Sequence, residues 1–307
     1  MTLLPSPQQL RYLIALAESR HFGRAAQACS VTQSTLSAGL LALERQLDTS
    51  ILDRDAGRHV VFTPLGLELV ERARTALSAL EAVSEAVLAA REPMGGPLRM
   101  GVIPTIGPFL LPRLMPALRR AFPRLKLYLR EDTTANLAAR LNANRLDLLL
   151  LAVPCECPGA EAMPVARDAF VVALPPDHRL AGEEQISPAA LSTERLLLLE
   201  DGHCLRDQAL AVCGLLAGDG TGEQDGFAAT SLHTLVQMVA NGLGITLLPR
   251  LAVAAGIVEG TGLVLRPLAG AGAWRTLGLV WRQNAPRASD YRALGAHLVD
   301  TCREALQ

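Results

Sequence analysis

The chain has 307 residues, half of them hydrophobic, and carries a net charge of −1 at pH 7. That length allows two or three domains with substantial cores, and the near-zero charge withholds the global basic signature of a nucleic-acid-binding protein. The apolar stretches are short, as in buried strands, and none approaches the roughly 18 residues of a membrane span. The opening residues, MTLLPSPQQLRYLIAL, lack the basic start and small-residue cleavage site of a secretory signal, so a cytoplasmic chain with no membrane partner is expected. In that compartment the six cysteines should rest as thiols, and a disulfide would more often be catalytic or redox-sensing than structural.

From Pro7 to about Arg91 the pattern is almost wholly helical. Leu10, Leu13, Ile14 and Ala17 recur at helical spacing, as do Leu36, Leu40, Leu43 and Leu47. Between them lie a short helix over residues 22–29 and the segment SVTQS, where Thr32 suits an N-cap for the next helix. Asp55, Ala56 and Gly57 then read as a tight turn between two short extended arms. Helix, short helix, turn, helix and hairpin make a winged helix-turn-helix. Gln33, Ser34 and Ser37 stand on the opening turns of the helix that enters the major groove, where Gln can bond adenine and Ser is permissive. Arg54 and Arg58 in the wing are placed for phosphates or the minor groove. The bland reading is a solvated helix start and a solvated hairpin. Residues 1–63 set six arginines against five acids, so charge does not decide between the two.

Pro64 opens a long helix over residues 65–91. Its Leu69, Ala73, Leu77, Leu80, Val83 and Val87 form a stripe suited to pairing with another helix. EPMGGP, residues 92–97, ends it as a hinge.

From Leu98 short apolar strands alternate with helices. LRMGVI, a helix near 109–121, LKLYLR, a helix near 135–144 and LDLLLLAV succeed one another as βαβαβ, the sign of a parallel sheet covered by helices. A second set begins near Asp168 with AFVVALP. It continues with RLLLLE, the Cys204 segment, a helix near 231–241 and the strand ITLLP. RTLGLVW and a final helix near 287–306 close the chain and return to the first set. The expected fold is an α/β regulatory domain, two-lobed and periplasmic-binding-protein-like, preceded by a mainly α winged helix-turn-helix domain and a long linker helix. The expected divisions are 1–63, 64–92 and 93–307, with lobe I at about 97–167 plus 270–307 and lobe II at about 168–269.

EDGHCLRDQALAVC sets Cys204 and Cys213 nine residues apart. In a helix, nine residues rise about 13.5 Å and turn roughly 900°, so the sulfurs face opposite sides. A disulfide needs Cα atoms about 4.4–6.8 Å apart. The pair can bridge only if the helix between them unravels, which is a defect in a brace and a requirement in a switch. Cys204 follows Asp201 and Gly202, a suitable cap, and His203 and Arg206 flank it. A helix N-terminus and nearby positive charge favour an anionic, oxidisable sulfur, and a second thiol can condense with the sulfenic acid that results. The plain alternative is a helix that happens to carry two cysteines. Cys29 and Cys302 read as small buried hydrophobes. Cys155 and Cys157, in PCECP, lack the further ligands of a tetrahedral site, so no metal and no cofactor is expected.

LRYLIALAESRHFGRAAQACSVTQSTLSAGLLALERQLDTSILDRDAGRHVVFTPLG resembles the DNA-binding domain of LysR-type transcriptional regulators, through FGRAA, VTQSTLS, LALERQL and the closing FTPLG. The long helix, hinge and two-lobed remainder extend the resemblance over the whole chain. Leu52 stands where the family more often has Phe and is expected to fill the same core slot. The resemblance implies a homodimer or homotetramer built through the linker helix and double-stranded promoter DNA read as two symmetric half-sites. It also implies RNA polymerase as a partner and an effector in the cleft.

GHCLRDQALAVC is similar to the redox segment of the peroxide-sensing members of that family, which implies a peroxidatic Cys204 and a resolving Cys213. GVIPTIGPFLLP and YLREDTTANL then place Thr105 and Thr134 at threonines beside the reactive sulfur, and WRTLGLVWR places Arg275 near it. ATSLHTLVQMVANGLGITLLP agrees as well. With His203 and Arg206 these residues form the implied pocket for hydrogen peroxide. A cytosolic thiol reductant would reset the protein, and transcription of antioxidant genes would be the output. GLLAGDGTGEQDG, residues 214–226, departs most from the pattern, with an insertion and no histidine. Three rivals stand beside this expectation. One is a LysR-type regulator that binds a small carboxylate at the helix start near Thr105. Another is a thiol peroxidase or dithiol oxidoreductase, against which the absence of C-x-x-C counts. The third is a solute-binding protein. A regulator and not an enzyme is expected.

Overall fold

The computed structural model describes residues 4–53, 60–91, 94–214, 229–270 and 272–306. They fall into two compact units, Met1–Val87 and Leu88–Gln307.

The first unit opens on a reciprocal cap. The Ser6 hydroxyl accepts from Gln9 N, and the Gln9 side chain accepts from Ser6 N, with Pro7 next in line to start helix α1 (Pro7–Ser19). Helices α2 (Phe22–Ala28) and α3 (Gln33–Leu47) follow, and Thr32 caps α3 by accepting from Thr35 N. Leu13, Leu16, Leu36, Leu40 and Leu43 close on a core that Ile51 and Phe62 complete. Leu52 packs against that core and bridges Phe62 across the antiparallel base of the wing.

Helix α4 (Pro64–Arg91) divides its apolar stripe, which the sequence reading treats as one surface. Ala73 and Leu77 are buried, whereas Leu80, Val83 and Val87 are 50%, 66% and 48% exposed. The helix is simply longer than the three-helix body it packs on, and an ion pair from Arg74 to Glu18 at 2.8 Å ties the packed part to α1.

In the second unit, β1 (Gly96–Val102), α5 (Gly107–Ala121), β2 (Leu125–Glu131), α6 (Thr134–Asn142) and β3 (Leu148–Val153) form the βαβαβ run. Then come β4 (Ala160–Leu174), α7 (Pro188–Leu191), α8 (Cys204–Val212), α9 (Leu232–Ala240) and β5 (Thr246–Pro249). The chain ends with α10 (Arg250–Ala254), β6 (Val264–Pro267), β7 (Trp274–Arg282) and α11 (Ala288–Leu306). The sheet order is β2-β1-β3-β7-β4-β5, with β6 also on β4. Strands β2, β1 and β3 are parallel, and β7 returns late in the chain to lie antiparallel between β3 and β4. The continuous leucines of β3 are buried on both faces, as a central strand requires.

Two expectations need correction here. Strand β4 starts at Ala160, well before AFVVALP, pairs with β7 as far as Ala169, and pairs with β5 from Phe170. Pro164 and a bulge beside it break the alternation that would have revealed the first half. RLLLLE is not a strand: only Leu196 and Leu199 make isolated bridges, to Ile245 and Ala229. Around it β5 and β6 run antiparallel to β4, not parallel as a second βαβ set predicts. An apolar run reports burial and carries no information about strand direction. Among the described residues no helix is long and apolar enough to cross a membrane.

Candidate thiol site

Val102 and Glu131 pair at the ends of β1 and β2. Thr105 and Thr134 each lie three residues beyond those ends, so both hydroxyls stand at the carboxyl edge of neighbouring parallel strands. That edge is where open α/β sheets bind ligands. Arg275 reaches the same edge from β7, because Thr276 pairs with Val153 at the end of β3.

Arg275 and Asp168 are both fully buried and paired, with Nε 3.0 Å from Oδ2. The other two guanidinium nitrogens donate to Thr105, Nη1 to Oγ1 at 2.8 Å and Nη2 to the carbonyl at 2.9 Å. Asp168 Oδ1 accepts from Leu251 N at the start of α10. Every charge in this cluster is thus neutralised and hydrogen-bonded, the condition for keeping an ion pair in a core. Arg275 is legible in the sequence and Asp168 is not. The available signal was the acid standing directly before AFVVALP, since a buried arginine demands a carboxylate.

Cys204 is the first residue of α8 and Thr134 the first of α6. The Cys204 thiol donates to Thr134 Oγ1 at 2.9 Å, so the positive ends of two helices meet at this contact. His203, buried, occupies the N-cap of α8 without a side-chain capping bond. The cap therefore falls later than Asp201 and Gly202, because Gly202 at φ +92° turns the chain before the helix begins. The Arg206 side chain pairs with Asp201 at 2.9 Å and donates to the Leu199 carbonyl. It braces the loop that enters α8.

Cys213 caps the far end of α8 and lies in the hydrophobic core, where burial pushes its thiol up to about 11. Both thiols are free, and nine helical residues set them about 13.5 Å apart along the axis. Leu205, Ala209 and Leu210 bury the face of α8 between them.

The other cysteines differ among themselves. Cys302 is buried, and burial together with the charge of Asp168 pushes its thiol to about 12. Cys29 is the C-cap of α2 and not a residue within it, and is half-buried. Cys155 and Cys157 bring their sulfurs together side by side, unlike the other four cysteines, which stand apart as free thiols. The turn between β3 and β4 holds their Cα atoms 5.5 Å apart, within the ordinary bridging range. Among the described residues no group of three His, Cys, Asp or Glu side chains is arranged to hold a metal ion.

On the first unit, Gln33, Ser34 and Ser37 are exposed at the start of α3. Arg54 and Arg58 lie outside the described residues, as does most of the 214–226 segment.

Two family models match the chain. The LysR substrate binding domain covers residues 91–303, and the bacterial regulatory helix-turn-helix protein, lysR family, covers residues 7–67. A hydrogen peroxide-inducible genes activator of Dickeya chrysanthemi is 43% identical over 300 residues, spanning 98% of this chain and 95% of that protein. The DNA-binding transcriptional dual regulator OxyR of Escherichia coli (strain K12) is 44% identical over 287 residues, spanning 94% and 92%. A full-length OxyR variant from Pseudomonas aeruginosa matches with a TM-score of 0.78 at 33% identity, covering 96% of this chain and 95% of that one. An H2O2-bound OxyR mutant from Corynebacterium glutamicum matches at 0.68 and 33% identity, covering 100% and 95%.

Proposed function

The chain belongs to the LysR family of bacterial transcriptional regulators, and from that membership we propose that it senses hydrogen peroxide through Cys204 and Cys213 and answers by changing its hold on promoter DNA. The observation that carries this reading is the Cys204–Thr134 hydrogen bond at two converging helix starts, with a second free thiol buried at the other end of α8.

The directions of the hydrogen bonds support such a pocket. Thr134 accepts from the Cys204 thiol and Thr105 accepts from Arg275, so each hydroxyl keeps its own proton to donate. Both can then bond the oxygens of a peroxide seated beside Cys204 and His203. Arg275 is a positioning residue here: its guanidinium is spent on Thr105 and Asp168. Arg206 likewise positions the α8 start through Asp201.

In the reaction Cys204 gives up its proton and its sulfur attacks one peroxide oxygen. The O–O bond breaks, and the second oxygen leaves with the electron pair and takes a proton to become water. The sulfur is now a sulfenic acid, and the amide groups at the α8 start and the threonine hydroxyls stabilise the departing oxygen. Cys213 then attacks that sulfur, a disulfide forms, and a second water leaves. This last step requires α8 to unwind and Cys213 to leave the core, which repacks the cleft around Leu205, Ala209 and Leu210. Two thiols of a cytosolic reductant return the pair to its first state by exchange. Each event changes one regulator molecule, without turnover.

The readout follows the family plan, with a winged helix-turn-helix at 1–63, a linker helix at 64–92 and a two-lobed domain at 93–307. The exposed half of the α4 stripe, at Leu80, Val83 and Val87, suits a dimer through that helix, and dimers suit a homotetramer. Gln33, Ser34 and Ser37 would read base edges, and Arg54 and Arg58 would hold the backbone, on two half-sites. The bound regulator would then engage RNA polymerase at antioxidant genes.

Thiol-trapping mass measurement before and after micromolar peroxide tests the chemistry, alongside a footprint on promoter DNA. The parent should lose two hydrogens and change its footprint. Cys204→Ser and Cys213→Ser should form no intramolecular bridge between these positions. Two free thiols after peroxide treatment of the parent would favour a small-molecule effector instead.

A further inference from the structure

We infer that Cys155 and Cys157 form a second thiol–disulfide couple, separate from Cys204 and Cys213, that exchanges with a dithiol reductant while the fold around it stays unchanged.

The two cysteine pairs pose opposite mechanical problems. Cys204 and Cys213 stand about 13.5 Å apart along a helix and cannot join unless it opens. Cys155 and Cys157 already stand side by side, with Cα atoms 5.5 Å apart, so they can join with no change of backbone. Their spacing is held by backbone: Cys157 N donates to the Cys155 carbonyl at 2.9 Å, and Ala160 N donates to the Cys157 carbonyl at 3.2 Å. Pro154 and Pro158 flank the pair and restrict the turn further. Opening or closing this bond therefore moves sulfur atoms and little else.

Access is also different. Cys213 and Cys302 are buried, whereas Cys155 and Cys157, in the connection between β3 and β4, pack on the core but keep part of their surface exposed. A small nucleophile can reach such a bond from solvent. A reductant thiolate attacks one of the two sulfurs; the S–S bond breaks, and its electron pair stays on the other cysteine, which takes a proton. The second thiol of the reductant then displaces the tethered cysteine and leaves as its own disulfide. Two electrons and two protons pass to the protein.

The spacing also selects the class of reductant. With the partner thiol held so close, a monothiol bound to one cysteine is displaced by the other before a second monothiol arrives, because the internal attack is effectively unimolecular. A dithiol escapes this by completing its own ring. The connection concerned joins β3 and β4, the two strands that flank β7 and its Arg275.

The test uses the full chain carrying both Cys204→Ser and Cys213→Ser, so that its outcome is independent of the peroxide reading. The protein is equilibrated in buffers of reduced and oxidised dithiothreitol, or of glutathione, then alkylated, and labels are counted on the peptide containing residues 155–157. The expected result is no label in oxidised dithiothreitol, two labels in the reduced form, and no persistent glutathione adduct. Amide exchange over β3, β4 and α8 should be the same in both states. Cys155→Ser should take one label at Cys157 in both dithiothreitol buffers and should keep a glutathione adduct there in oxidised glutathione, because no neighbouring thiol remains to displace it. Two labels in all buffers, a bond that resists dithiothreitol until the protein is denatured, or a change in α8 exchange would each overturn the inference.

Discussion

Arg275 Nε stands 3.0 Å from Asp168 Oδ2, and neither side chain has any exposed surface. Removing one partner leaves the other charge stranded in the core, at a cost of roughly 3–5 kcal/mol. Asp168→Asn should therefore lower the unfolding free energy by about that amount in urea titration. It should also slow Cys204 oxidation, since Thr105 is oriented through Arg275. A loss of stability under about 1 kcal/mol would show that the pair is not held as described.

Thr134→Val keeps the shape of the side chain and removes the acceptor of the Cys204 thiol. One hydrogen bond is worth about 1 kcal/mol, and more where charge develops. The second-order rate of Cys204 oxidation should fall by roughly 5- to 50-fold, with the folded stability little changed. Loss of thiol labelling against time at several peroxide concentrations gives that rate. An unchanged rate would remove Thr134 from the pocket.

How much of this was legible beforehand depended on whether a residue acts locally or across the chain. Thr32 as the cap of α3 and the return of β7 to the first strands follow from capping chemistry and from the order of apolar runs. The split of the α4 stripe does not, because periodicity gives a face but not the length of the body beneath it. Asp168 was hidden by distance, since it meets Arg275 across 107 positions. Arg206 is expected near the sulfur from its proximity in sequence, and its guanidinium also bonds Asp201 and the Leu199 carbonyl, partners that helical spacing alone does not reveal. The close approach of Cys155 and Cys157 is not legible either, because a general rule about cysteines is silent on a turn that holds two sulfurs side by side.

Burial raises the Cys213 thiol from its ordinary value near 9.0 to about 11. The folded state therefore holds this proton more tightly than the unfolded chain does. Stability from the neutral thiol is fully present below pH 9 and is lost as pH rises towards about 11. Two pH units at about 1.4 kcal/mol each put the loss on the order of 2–3 kcal/mol. The difference in unfolding free energy between parent and Cys213→Ala should be flat to about pH 9 and shrink above it. Cys302 has the same sign and is present in both proteins, so it cancels. A difference that stays constant to pH 11 would mean the thiol is not held in an apolar site.

Unwinding of α8 is the step that separates sulfenic acid from disulfide, so the helix itself should set the rate between them. Ala211 is exposed on α8, and glycine there costs the helix about 1 kcal/mol without touching the core. Ala211→Gly should leave the first oxidation of Cys204 unchanged, because the Thr134 contact lies at the other end of the helix. It should speed closure of the Cys204–Cys213 bond by roughly 5-fold, the factor that 1 kcal/mol gives at 25 °C. A sulfenic-acid trapping reagent added at intervals after peroxide separates the two steps. Faster disappearance of the trapped species with the same rate of appearance is the expected pattern. Equal closure rates in parent and variant would mean that α8 is already open when Cys213 attacks, and the mechanical role given to this helix would fail.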